Sequence, residues 1–197
     1  MRATLLFALV AAASAKSFSR KAFATPLSRG GDRIVGGTDA SRGEFPHQIM
    51  LTRGVGGSLM CGGSLVAADT VITAGHCCDG MSASRLGVEV GSHMLYEDDP
   101  DQEAFAVKQV MLHEEYNANN INNDICMLKL DGSATTGANV AFIGFPASME
   151  EYSEGTDCIV TGWGTTSAGG SLAGTLQKVG FLRLQLNAGF LYCCSCI

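Results

Sequence analysis

The stretch from Cys61 to Cys78 reads CGGSLVAADTVITAGHCC. Two short runs rich in Val, Ile and Leu (Leu59–Val66 and Val71–Thr73) flank a polar Ala-Asp break, and a histidine follows between a glycine and a cysteine pair. Short apolar runs broken by turn residues predict strands. Histidine titrates near neutral pH, which makes His76 a candidate general base. Taken alone, a histidine in such a setting is more often an ordinary, partly buried residue.

Outward from this stretch the pattern repeats. Further strand candidates are Gln48–Thr52, Leu86–Val90, Phe105–Met111, Ile125–Leu130, Cys158–Trp163 and Leu176–Gly180. Gly, Asp and Asn clusters separate them, and no segment keeps an amphipathic helical period over three turns. The expected class is all-β, a barrel or sandwich. Asp124, in the Asn-Asn-Asp stretch that leads into one strand, is either a turn cap or a functional acid.

The first residues read as something other than fold. Arg2, the apolar run Leu5 to Ala13 and the small residues Ala13-Ser14-Ala15 have the order of a secretory signal peptide, assigned to 1–15. The run is shorter than the roughly 20 residues needed to cross a bilayer. A secreted, extracellular product is expected, with no membrane attachment after signal removal. Eight cysteines fit an oxidising compartment. Their spacings do not match a tetrahedral zinc site, and no metal or cofactor is expected. Residues 1–33 carry six Lys/Arg and one acid. The remainder has seven basic and eighteen acidic residues, a net of −11. That balance argues against nucleic acid as a partner.

Five segments then stand in a telling order: RIVGGTDASRGEFPHQ, CGGSLVAADTVITAGHC, NNDICMLKL, CIVTGWGTT and LQKV. Together they resemble the trypsin-like serine proteases of the chymotrypsin family, from Arg33 to about Val179. The resemblance implies a chymotrypsin-like double β-barrel, with residues 34 to about 145 forming the first barrel and the second largely missing. It implies an activation propeptide over 16–33, cut at Arg33–Ile34 by a trypsin-like protease, and a partial peptidase domain over 34–179. His76 matches the family's general base, Asp124 the acid that orients it, and Cys61–Cys77 a disulfide beside the histidine. Protein or peptide substrates follow from the same resemblance.

One inference comes from the residues themselves. Side chains two apart on an extended segment share a face. If His76 meets Asp124, then Cys78 and Cys126 are near each other, and a second disulfide is expected there against the alternative of two free thiols.

The resemblance stops after LQKV. Residues 180–197, GFLRLQLNAGFLYCCSCI, form a divergent Cys-rich tail in which Cys193, Cys194 and Cys196 join Cys158 as unassigned thiols. No serine stands in a Gly-Asp-Ser-Gly-Gly or Gly-x-Ser-x-Gly setting. Ser64 reads as an ordinary strand residue. Truncation before the nucleophile, the oxyanion hole and the specificity pocket is the expectation, and with it an inactive chain. The alternative is a non-catalytic homologue serving as a binding or decoy module. The acidic stretch Tyr96–Phe105 is a candidate calcium loop, set against the simpler reading of a solvated surface loop. A metal-binding protein using His76, His93 and that loop is the weakest reading.

Overall fold

The computed structural model describes residues 37–145, 157–166 and 170–182. The expected signal peptide, the Arg33–Ile34 bond, Cys193, Cys194 and Cys196 lie outside them, as does the side chain of Cys158.

Six antiparallel strands close a barrel in the order β2-β3-β4-β7-β6-β5. They are β2 (Gln48–Thr52), β3 (Leu59–Ala67), β4 (Thr70–Thr73), β5 (Gly87–Val90), β6 (Glu103–Leu112) and β7 (Cys126–Leu130). The β2–β5 pairing, Ile49 opposite Val90, completes the ring. Alternation explains the inner face. In β7, Cys126, Leu128 and Leu130 are buried while Met127 and Lys129 are half-buried, the period-2 pattern of a strand with one face on a core. Ile49, Leu51, Leu65, Val71, Val88 and Leu128 converge inside, each with no measurable exposure. Register shifts at Leu51/Thr52, Leu65/Ala67 and Val107/Gln109 add the local bend and twist that closure needs. Gly63 sits where β3 presses on β4: a Cβ there would lie 2.6 Å from the Ile72 carbonyl oxygen.

A second unit is smaller. Strands β1 (Thr38–Asp39), β9 (Gln177–Leu182) and β8 (Asp157–Gly162) form a three-stranded sheet in that order. Here the structure differs from the expectation that residue 34 onward builds the first barrel. The barrel is already closed by β2 and β5 and has no free edge for Thr38–Asp39. These residues pair instead with Lys178 and Gln177.

β2 is buried along its whole length because both of its faces are covered. Ile49 and Leu51 face the barrel core. Met50 packs with Ala40, Trp163 and Leu176 under the second sheet. The segment after β5 bridges the two units. His93 O accepts from the Trp163 indole (3.1 Å) and from Leu176 N–H (2.9 Å), and Leu95 N–H donates to Gly174 O at 2.8 Å.

Candidate active site

Gly75–Cys78 is a single helical turn, α1, directly after β4. Ala74 provides no side-chain cap, and one turn fixes several dihedrals for very few hydrogen bonds. Two disulfides hold it instead. Cys77 is bonded to Cys61 in β3, with Cα atoms 6.3 Å apart. Cys78 is bonded to Cys126 in β7, at 6.5 Å, inside the roughly 7 Å limit for such a bond. Of the two outcomes weighed for Cys78 and Cys126, the disulfide is present.

Asp124 arrives from the other side, two residues before β7. The loop that delivers it is an asparagine device. Asn119 N–H donates to Asn117 Oδ1 (2.9 Å), Asn122 N–H to Asn120 Oδ1 (3.2 Å), and Asn123 Nδ2 to Glu115 O (2.9 Å). Ile121 and Asn123 adopt φ of 56° and 54°, a region asparagine tolerates better than most residues. For Ile121, β-branched and half exposed at 50%, the same conformation is strained. The asparagines therefore build the turn and free Asp124 from capping it.

Asp124 grips His76 at two points. Its Oδ1 accepts the His76 backbone N–H at 2.7 Å, and its Oδ2 lies 2.8 Å from His76 Nδ1. A carboxylate only accepts, so Nδ1 carries a proton, and in the neutral ring the lone pair then falls on Nε2. The ring is 40% exposed and the carboxylate 23%, so the pair is reachable from solvent. The arrangement is that of a base held in one tautomer by an acid.

Two residues that sequence reasoning did not single out complete the packing. A Cβ on Gly75 would lie 2.9 Å from Tyr116 Cδ2, 3.0 Å from Ile125 N and 3.1 Å from Asp124 Oδ1. Glycine is what lets α1 approach the carboxylate so closely. Tyr116 roofs this contact, and its phenol is pushed up by burial and then by the charges of Asp124 and Asp79. Only the glycine had a visible signal, in its place directly before the histidine.

The acidic stretch is neither loose nor fully solvated. Asp99 is 6% exposed. It pairs with Arg42 and accepts from His93 N–H (2.5 Å) and Met94 N–H (2.9 Å). Burial alone would raise its carboxyl; those two amides and the guanidinium outweigh burial and hold it below the ordinary range. Asp101 accepts from Asn139, Glu103 from Thr135 N–H and Glu89 from Gln102. These carboxylates serve protein donors. Among the described residues, Cys61, His76 and Cys77 cluster closely enough to suggest a metal site, but the two sulfurs are bonded to each other and offer no thiolate.

The six-stranded barrel and the His–Asp pair at its rim define a chymotrypsin-like β-barrel protein. The trypsin family model matches residues 34–183. The chain is similar to trypsin-1 of Astacus astacus, 40% identical over 151 residues, covering 74% of this chain and 63% of that protein. It is 36% identical over 157 residues to trypsin I-P38 of Gallus gallus, with 79% of this chain and 60% of that one covered. Chymotrypsin-like elastase family member 1 of Bos taurus is 37% identical over 150 residues, with 74% and 56% covered. The chain belongs to the trypsin family of serine proteases, and spans about three-fifths of the length of these relatives.

Proposed function

We propose that this chain carries the general base and the orienting acid of a secreted, trypsin-like serine endopeptidase made as a zymogen. His76 Nε2 takes the proton of a serine hydroxyl as that oxygen attacks a peptide carbonyl, and later returns it to the leaving amine. Asp124 keeps the proton on Nδ1 and stabilises the imidazolium that forms. The observation that carries this reading is the two-point grip of Asp124 on His76. A binding or decoy module has no chemical need of it. A single hydrogen bond would position the ring; the second, from the His76 backbone, also fixes the turn on which the ring stands.

On this reading residues 1–15 direct secretion, 16–33 are removed when a trypsin-like protease cuts Arg33–Ile34, and 34–179 belong to the peptidase domain. Residues 180–197 form the divergent tail, into which the family match runs only as far as residue 183. The substrates are proteins or peptides, and no cofactor is used. The 197-residue polypeptide contains no serine in a nucleophile setting, so on its own it turns over no peptide bond.

Amide-substrate hydrolysis tests this, with the protein recovered from its natural secretion assayed beside the recombinant 197-residue polypeptide. The expected result is hydrolysis only by a species in which this region is joined to a serine-bearing segment. In that species His76→Ala lowers turnover on the order of 10⁶-fold. Undiminished turnover by the alanine variant sinks the assignment of His76. Absence of hydrolysis from every secreted species favours the decoy alternative.

A further inference from the structure

The two disulfides at α1 fall on consecutive residues, Cys77 and Cys78, and run to different strands, β3 and β7. Successive residues of an α-helix point about 100° apart around its axis. With one tether, only the solvent-exposed bond from His76 N–H to Asp124 Oδ1 would oppose rolling of this single turn about the bonded residue. Two tethers at that angle, on strands at separate places in a closed barrel, leave no such rotation. His76 is the residue just before the pair and Asp124 stands two residues before Cys126. We infer that Cys78–Cys126 is a positioning element for the base, which together with Cys61–Cys77 locks the roll of α1 and keeps the His76 ring on Asp124; this rests on the role proposed for the His76–Asp124 pair.

Three observations converge on it. Thr73 pairs with Cys126 across the β4–β7 ladder, so that pairing and the second disulfide together close a small ring, Thr73 to Cys78 and across to Cys126, that carries His76, with Asp124 two residues outside it. The pair itself is open to solvent, with 40% and 23% of the side chains exposed, where a hydrogen-bonded pair contributes little to holding its own geometry. The half-cystines are buried, Cys78 at 2% and Cys126 at 0%. That burial makes the bond a fixed brace rather than one exchanged by passing thiols.

The test reads the pair's geometry and not proteolysis, so it can fail while the endopeptidase reading stands. In ¹⁵N NMR of the whole chain, the His76 Nδ1–H should give one distinct hydrogen-bonded resonance. Cys78→Ala/Cys126→Val, which keeps the site filled with apolar atoms, should lose that resonance to exchange between tautomers while the barrel stays folded. Leu65→Ala, a core change away from α1, should lower stability yet keep the resonance. A double variant that is folded and retains it overturns the inference. Should the double variant not fold, native-state hydrogen exchange of the unaltered chain decides. The His76 amide, donor to Asp124 Oδ1, should open only with the β4–β7 ladder. Exchange at the rate of an exposed turn would equally overturn the brace.

Discussion

Each strand of the barrel has two hydrogen-bonded neighbours. β8 has one among the described residues, and so does β1. Among the described residues the barrel core gathers seventeen buried residues, whereas the cluster under the second sheet gathers four, and one of those, Met50, belongs to a barrel strand. The two regions share antiparallel pairing and differ in closure. The barrel satisfies its own backbone and fills its own interior. The sheet depends on being docked, through Trp163, Leu176 and the His93–Leu95 bridge. The His–Asp pair stands wholly on the self-sufficient side: His76 hangs from β4 and Asp124 leads into β7. His76 and Asp124 therefore need nothing from the second sheet to meet.

That contrast can be broken or sharpened. The largest effect is expected from Trp163→Ala, which removes a fully buried indole and its bond to His93 O. A loss of about 3–5 kcal/mol should fall on docking of the sheet. Hydrogen exchange should show β8 and β9 unprotected with β2–β7 unchanged; equal loss in both regions would mean they are one cooperative unit. Leu65→Ala, in the barrel, should cost roughly 2–5 kcal/mol and expose both regions together in urea unfolding, since the sheet has nothing to dock on without the barrel.

Asp99→Asn comes next, at about 1.5–3 kcal/mol near neutral pH, the range for hydrogen bonds to a charged group. The sign of its pH dependence follows from the depressed carboxyl. Its contribution is present above the unfolded value of about 3.9 and disappears as pH falls through the lower folded value. Glu89 acts in the opposite sense. Burial, with Asp98 adding, raises its carboxyl, so its contribution is present below its unfolded value and is lost as pH rises through the raised one. Urea midpoints across acid pH should therefore fall in the parent chain and flatten in the Asn variant. A parallel pair of curves would remove Asp99 from the account. The smallest stability effect, within about 0.5 kcal/mol, is expected for Ile159→Lys on β8, where Ile159 is 44% exposed. Its readout is light scattering: a charge on a strand with one paired edge among the described residues should reduce self-association.

Strand positions were legible where both faces or the turn chemistry spoke clearly. Gln48–Thr52 is a strand over those same residues, and Val71–Thr73 and Leu86–Val90 differ from β4 and β5 by one residue at an end. Phe105–Met111 extends outward to Glu103 and Leu112, because the ladder runs on to pair Glu103 with Val90 and Leu112 with Cys126. Thr38–Asp39 was missed: two polar, exposed residues carry no hydrophobic alternation, and the partner that makes them a strand is β9. The one-turn α1 was missed for a similar reason, since four residues give no helical period and covalent bonds replace propensity. His76, Asp124 and the Cys61–Cys77 pairing could be found from the resemblance to the family, and Cys78–Cys126 from the i+2 rule once His76 and Asp124 were taken to meet. Tyr116 and the buried role of Asp99 could not, because both arise from contacts between segments far apart in sequence.

The pairing of β1 with β9 also sets an order of events during synthesis. Asp39 and Gln177, joined by a side-chain hydrogen bond of 2.6 Å, are 138 residues apart. At 5–20 residues per second, a ribosome needs on the order of ten seconds to make that interval. The barrel strands, ending at Leu130, emerge in the meantime and can close first. β1 then waits as an unpaired leading end while its partner is still being translated. Closing so long a loop comes late on topological grounds as well. The first described strand of the chain is thus among the last to find its place, and a pause in translation between β7 and β9 would lengthen that wait without touching the barrel.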